Sequence, residues 1–241
     1  MKKLNFEAPI NSLSFGNVSI NFLRVLKNSD IDLNLFPIGD QGDFSAFSSI
    51  DNEFKQWTSS IAAQRLAKLD KNIPTLKLWH LNGSEKTLGQ NQYLYTFYEL
   101  DSPTKEEVNI AKMQKHVFFS STEAAEAFKQ KGYTNVSAIP LGLDPDFKEI
   151  PKEFDEDITH FSLIGKFERR KNTQALIQLW LNKYGNNPKY QLSCLVNNSF
   201  LNQEQMQEAI NSCTMNQHWN NINFLPFLKT NEEVNMLINN I

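Results

Sequence analysis

The stretch THFSLIGKFERRKNTQALIQLW, residues 159–180, decides the fold. An apolar run that we expect to form a buried strand ends at Gly165, and apolar residues recur at helical spacing from Thr173 onward. The turn between them carries four cations, which are Lys166, Arg169, Arg170 and Lys171. The first turn of a helix favours anions, so the pattern is typical of phosphate binding. An ordinary solvated basic turn would have the same sequence.

The same alternation of short apolar runs and helical stretches extends in both directions from this segment. It favours an α/β fold with parallel sheets and right-handed crossovers. Several runs are continuous (HVFFS, HFSLIG), as in parallel strands buried on both faces. The predicted strands are 4–8, 31–38, 75–81, 93–100, 116–120, 136–140, 159–165, 190–196 and 222–227. The clearest predicted helices are 123–131, 173–184 and 230–241.

An acidic segment separates two such series. LDPDFKEIPKEFDEDI, residues 143–158, holds two prolines and seven acids, which is typical of an interdomain tether. We therefore predict an N-terminal domain over residues 1–150 and a second domain over residues 151–241.

Composition excludes several classes of protein. Lys and Arg number 24 against 27 Asp and Glu, a formal net charge of −3 that argues against nucleic-acid binding through bulk charge. No apolar run has the length of a membrane span, and MKKLNFEAP lacks the apolar core of a secretion signal, so we expect a cytoplasmic protein. Cys194 and Cys213 are too few for a disulfide framework or a zinc site, and we expect two buried thiols.

The turn GKFERRKN, residues 165–172, resembles the donor-phosphate signature of the retaining GT-B glycosyltransferases of group 1, glycosyltransferase family 4. That signature is a glycine, an adjacent basic residue and a lysine five residues later, followed by Gly or Asn. The resemblance implies that Lys166 and Lys171, with Gly165 and Arg170, bind the diphosphate of a nucleotide-sugar. The family more often has Arg at the position of Lys166, and lysine lacks the bidentate fork of arginine.

Two segments resemble parts of the family's first domain. SLSFGNVSINFLRVL, residues 12–26, is similar to its glycine-bearing loop and first helix, which implies that Gly16 admits the phosphates; a plain turn before an amphipathic helix is the alternative. Residues 95–147 are similar to the end of that domain, which implies that Glu99 contacts the sugar or the acceptor. A solvated carboxylate paired with a lysine is the alternative for Glu99.

A third segment, NFLPFLKT, is similar to the strand and turn whose backbone meets the nucleotide base. This implies a base-binding region at Phe224, Pro226 and Phe227, with an ordinary buried strand as the alternative. His80 also ends a predicted strand, but a lone histidine is more often a hydrogen-bonded core residue.

Taken as a whole, the resemblance implies two Rossmann-like doubly wound lobes facing a cleft, the GT-B fold. The second lobe is expected to be incomplete, because the chain stops before the family's pair of glutamates, and a truncated transferase would explain this. Residues 159–165 would then form an open sheet edge, which could support homo-oligomers.

The implied activity is retaining transfer of a sugar from a nucleoside diphosphate sugar to a glycan, lipid-linked or protein acceptor. No metal or other cofactor is expected, because lysines would neutralise the leaving diphosphate. Peripheral membrane contact would serve a lipid-linked acceptor. A catalytically inactive module that binds a nucleotide or glycan is the alternative, and an epimerase on the same fold is less favoured because its carboxylates and histidine cannot be located.

Overall fold

A computed structural model describes residues 2–39, 42–151, 157–198 and 200–240. The chain divides into two compact units, Met1–Phe147 and Lys148–Ile241. Part of the predicted tether, residues 152–156, and Ile241 lie outside the described residues. Within the described ranges, no helix is both long enough and apolar enough to cross a membrane.

The first unit contains one six-stranded parallel sheet in the order β2-β1-β3-β4-β5-β6. The order reverses between β1 and β3, so the sheet is doubly wound and has a switch point between these strands. Its elements are β1 Lys2–Pro9, α1 Ser14–Lys27, β2 Ile31–Ile38, α2 Asn52–Ala63, β3 Thr75–Leu78, β4 Gln92–Thr96, α3 Lys105–Lys112, β5 His116–Phe119, α4 Thr122–Gln130 and β6 Val136–Ala138.

The core of this unit lies between the sheet and its helices. Phe6 of β1 and Leu35 of β2 are fully buried with Ile20 and Leu23 of α1, which recur at helical spacing. Helix α1 therefore packs its apolar face on the two strands that flank it in the chain. Its N-terminus lies at the carboxyl end of β1, next to the switch point.

The second unit contains a three-stranded parallel sheet in the order β7-β8-β9. Ile177 and Leu181 of its first helix are buried against Leu192 and Cys194 of the central strand. Its elements are β7 Thr159–Ile164, a 3₁₀ turn Arg169–Lys171, α5 Thr173–Tyr184, β8 Tyr190–Leu195, α6 Gln203–Cys213, β9 Ile222–Phe224 and α7 Asn231–Asn239.

Strand β7 is exposed, so the prediction of a strand buried on both faces is wrong here. Phe161 and Ile164 keep 36% and 44% of their accessible surface. In the part of the chain that the structure describes, β8 is the only neighbour of β7, which makes it an edge strand as predicted. The ring of Phe161 packs on Tyr184 of α5 with centroids 5.6 Å apart, but nothing described lies along the other edge. A continuous apolar run therefore does not by itself report burial.

Several strands end before the predicted residue. Strand β4 ends at Thr96 because its ladder partner, Phe119, is the last residue of β5. Strand β9 ends at Phe224, two residues before Pro226, which has no amide hydrogen to continue a ladder. The residues predicted at these ends, Glu99 and Phe227, consequently lie in loops.

Residues at the start of the predicted tether contact the unit to which they belong. In the first unit, Arg24 of α1 binds Asp144 at 3.2 Å and Asp146 at 3.0 Å. In the second unit, the side-chain oxygen of Asn235 on α7 accepts a hydrogen bond from the Lys148 amide at 3.0 Å. Asp144 and Asp146 are therefore held within the first unit, and Lys148 within the second.

Candidate functional site

The turn between β7 and α5 is built on two unusual backbone positions. Gly165 follows the last residue of β7 with φ = 156°, and a methyl group there would meet nothing within 4 Å. Asn172 precedes α5 in the left-handed region with φ = 53°. The signature that GKFERRKN resembles has Gly or Asn at this position. Both residues tolerate the left-handed region better than most others do. The backbone turns sharply here and delivers the first turn of α5 to the carboxyl edge of the sheet.

The four cations of the turn have different surroundings. Lys166 is half-buried, and its ammonium lies 3.8 Å from the Glu168 carboxylate. Arg170 donates to the same carboxylate at 3.1 Å. Arg169 and Lys171 lie on the 3₁₀ turn and are exposed. The turn therefore has a positive surface that one internal carboxylate compensates only in part.

The first turn of α5 has no side-chain cap. Among the helices of the described residues, α1 and α5 lack a capping bond from the N-cap side chain. The helices that have one are α2, α3, α4, α6 and α7. The first amides of a helix have no acceptor within it, so an uncapped first turn leaves donors for water or for an anion. The two uncapped helices are those that follow the first strand of each sheet.

Helix α7 shows what an anion does at such a position in this same unit. The backbone amides of Thr230 and Lys229 donate to the Glu233 carboxylate and hold its pKa below the usual value. Helix α5 has no acidic residue in its first turn. The anion that α7 carries in its own sequence is therefore missing from the first turn of α5, whose amides are left to water or to an external anion.

A groove of about 370 Å³ opens beside the first turn of α5. Of the basic turn, Arg169 and Glu168 line it, together with Asn172 and Thr173. Its remaining lining residues are Phe167, Gln174, Ala175 and Gln178. The groove thus combines the start of a helix with one arginine.

The predicted phosphate residues of this turn lie beside the groove rather than in its lining. Gly165, Lys166, Arg170 and Lys171 are not among the residues that line it. Arg169, which does line it, was counted with the turn's cations but was not predicted as a ligand. No local sequence pattern distinguishes Arg169 from the other three cations, because the 3₁₀ turn decides which of them lines the groove.

Gly16 lies inside the first turn of α1 and is buried. A methyl group at Gly16 would overlap the backbone carbonyl group of Asn11. The close approach of the β1–α1 loop therefore accounts for the glycine without a ligand. Its predicted role beside the phosphates stays a prediction.

Glu99 and His80 follow neighbouring strands of the first unit. Glu99 is exposed three residues after β4, and His80 is exposed two residues after β3. The imidazole of His80 packs edge-on against Phe15 of α1 with ring centroids 4.6 Å apart. Both residues thus lie at the carboxyl edge of the sheet, the usual place for ligands in this class of fold.

The predicted base-binding residues lie at the corresponding edge of the second sheet. Phe224 is the last residue of β9, and the amide of Leu225 donates to the Cys194 carbonyl at 2.9 Å. Pro226 and Phe227 follow in an exposed loop, with Phe227 keeping 69% of its surface. Because the strands are parallel, this loop and Gly165 leave the sheet at the same edge.

The two thiols are buried, as predicted. Burial raises the pKa of the Cys194 thiol to about 12, so it is protonated at neutral pH. Within residues 2–39, 42–151, 157–198 and 200–240, no group of three or more His, Cys, Asp and Glu could hold a metal ion.

No protein-family model and no curated protein matches this chain. Solved structures do match it. One is the lipopolysaccharide outer core galactosyltransferase WaaB in its apo form, with a TM-score of 0.56 and 12% identity over 100% of this chain and 72% of that one. Another is HepE of Anabaena in complex with UDP and glucose, with a TM-score of 0.58 and 13% identity over 99% of this chain and 72% of that one. The likeness shows the fold, which is the predicted GT-B fold of Rossmann-like α/β units.

Proposed function

We propose that this chain transfers a sugar from a nucleoside diphosphate sugar to a hydroxyl acceptor, with retention of the anomeric configuration. The observation that carries the proposal is the first turn of α5, which is uncapped, flanked by cations and placed at the carboxyl edge of its sheet. Two structures with this fold are a galactosyltransferase and a protein in complex with UDP and glucose, which supports the same substrate class here. The similarity of GKFERRKN to the donor-phosphate signature supports it independently.

In the proposed reaction the diphosphate accepts hydrogen bonds from the amides at the start of α5. As the bond to the sugar breaks, negative charge grows on the departing diphosphate, and fixed donors and cations stabilise that charge without reorganising. Lys166 and Lys171 supply the cations by resemblance, and Arg169 supplies one from the groove itself. Charge-assisted hydrogen bonds of this kind contribute roughly 1.5–3 kcal/mol each when well aligned. The proposal assigns this role to the cations and includes no metal ion.

The other predicted residues complete the proposal. Glu99 orients the sugar or the acceptor, and the loop of Phe224, Pro226 and Phe227 receives the base. The acceptor is a glycan, a lipid-linked glycan or a protein. The helix dipole and the cations recognise the diphosphate, which is common to all such donors, so they do not select the sugar or the base.

Incubation of the protein with UDP- and GDP-sugars tests the proposal. We expect release of UDP or GDP in the presence of an acceptor, and activity that persists in EDTA. Product analysis by NMR would report the anomeric configuration, which we expect to equal that of the donor. Binding of the nucleotide without turnover would instead favour the inactive binding module.

A charge-matched pair of variants tests the residues. Lys171→Ala removes a cation from the basic turn, and we expect nucleoside diphosphate affinity to fall about tenfold or more. Lys189→Ala removes the same charge from the residue before β8, at the amino end of the parallel strands and away from the basic turn. It should leave the affinity for nucleoside diphosphates unchanged. Equal affinity in both variants would remove the basic turn from the proposal.

A further inference from the structure

The basic turn holds its own counter-ion. The two carboxylate oxygens of Glu168 face two different cations, with Oε1 3.1 Å from Arg170 Nη2 and Oε2 3.8 Å from Lys166 Nζ. Glu168 also lines the groove beside the first turn of α5. A negative charge therefore sits in the groove where the proposed function places a diphosphate.

The Lys166 ammonium has a second contact that does not depend on Glu168. It lies 4.0 Å from the centroid of the Phe200 ring, a cation–π contact. Phe200 is 80% exposed, so little else of the chain covers its ring. Loss of the Glu168 charge would leave Lys166 held by this ring.

Asn198 fixes Phe200 next to the basic turn. Its side-chain amide donates to the Phe167 carbonyl at 2.8 Å, and its side-chain oxygen accepts from the Phe200 amide at 3.0 Å. The loop after β8 and the turn after β7 are thereby tied together. Contacts from two loops consequently set the position of Lys166, whereas Glu168 is the one carboxylate that pairs with it in the part of the chain that the structure describes.

We propose that Glu168 is a built-in competitor that lowers the affinity of this site for nucleoside diphosphates; this inference rests on the proposed function. Without ligand, Glu168 pairs with Lys166 and Arg170. A bound diphosphate takes over these cations and displaces the carboxylate towards solvent. Because exposed ion pairs are individually weak, the exchange is reversible, and it speeds release of the nucleotide product.

Glu168→Gln tests the competitor, since it keeps the shape of the side chain and removes its charge. We expect UDP to bind about three- to tenfold more tightly and to dissociate correspondingly more slowly, with the gain shrinking at high salt. Glu168→Asp keeps the charge and should stay close to the wild type. Glu208→Gln removes a charge from an exposed position on α6 and should change nothing.

Calorimetry and stopped-flow measurements with UDP give the affinity and the dissociation rate, and thermal unfolding confirms that each variant is folded. Measurable wild-type binding that Glu168→Gln leaves unchanged or weakens overturns this inference alone. A gain that Glu208→Gln reproduces also overturns it. Absence of binding of both UDP and GDP in the wild type and in Glu168→Gln overturns the proposed function together with this inference.

Discussion

Helices α1 and α5 occupy the same topological place in their units but have different first turns. Each follows the first strand of its sheet, and each lacks a capping side chain. The first turn of α1 is packed: Gly16 is buried against Asn11, and the Phe15 ring stacks on Phe97 with centroids 4.3 Å apart. The first turn of α5 borders an open groove and carries cations on its approach.

The difference shows that a helix dipole does not by itself make an anion site. Both helices have the same partial positive charge at the N-terminus. In α1 aromatic and backbone contacts bury Phe15 and Gly16 of the first turn, whereas the first turn of α5 borders an open groove. Access and flanking charge therefore distinguish the two ends, and each can be altered separately.

The largest expected effect is a loss of stability at the packed first turn of α1. Gly16→Ala places a methyl group against the Asn11 carbonyl, where the backbone has to move, and should destabilise the protein by about 1–3 kcal/mol. Gly142→Ala is the matched control, because a methyl group there meets nothing within 4 Å. Thermal unfolding measures both. Equal stability of the two variants would mean that Gly16 is not a packing residue.

The second effect concerns the uncapped N-terminus of α5. Ala175→Glu gives α5 the acidic third residue that Glu233 supplies in α7, and we expect its negative charge to compete with a diphosphate for the positive start of the helix. The affinity of Ala175→Glu for UDP should fall about tenfold. Ala175→Gln introduces an uncharged side chain of nearly the same size as glutamate and should bind UDP as the wild type does. Calorimetry checks this. A similar loss in both variants would indicate a steric effect and contradict the electrostatic explanation.

A smaller effect is expected at the left-handed residue that begins α5. Asn172→Ala should cost about 1 kcal/mol of stability, since alanine tolerates the left-handed region less well than asparagine. Asn172→Gly relieves that strain and should remain within a few tenths of a kcal/mol of the wild type. Denaturant unfolding of both variants gives the comparison. If Asn172→Ala were as stable as Asn172→Gly, the backbone conformation would not explain the residue.

The smallest expected effect is a pH dependence at α7. The folded pKa of Glu233 lies below its unfolded value, so its carboxylate stabilises the fold above the unfolded pKa of about 4.5. This contribution is lost as the pH falls through the folded pKa. Glu233→Gln should therefore differ from the wild type in stability at neutral pH and converge with it in acid. Glu204→Gln, in the first turn of α6, controls for the loss of one exposed charge; an equal pH dependence there would refute the assignment.

Much of the fold follows from the sequence, because alternating apolar runs and capped helices determine element order. The boundaries were less accurate, since strand ends depend on neighbouring strands: β4 stops with β5, which sequence periodicity does not show. The burial of β7 was wrongly predicted for the same kind of reason. The apolar residues of β7 are visible in the sequence, but the number of strands and helices that pack against them depends on the tertiary structure.

The candidate site was predictable in its location but not in its internal contacts. The glycine, the cations and the helix start are local in sequence, so the turn at 165–172 could be identified. The contact of Lys166 with Phe200 joins two loops, and no local pattern indicates it. Arg169 and Lys171 both belong to the 3₁₀ turn, and the geometry of that turn decides that Arg169 lines the groove and Lys171 does not. The packing reason for Gly16 was likewise inaccessible, because a sequence shows a glycine without its neighbours.

The structure of the protein in complex with UDP tests the central claim most directly. We predict that the diphosphate accepts hydrogen bonds from the amides of Thr173, Gln174 or Ala175, with the Glu168 carboxylate turned away from Lys166. A diphosphate bound elsewhere, with the first turn of α5 hydrated, would contradict the assignment of this turn as the anion site.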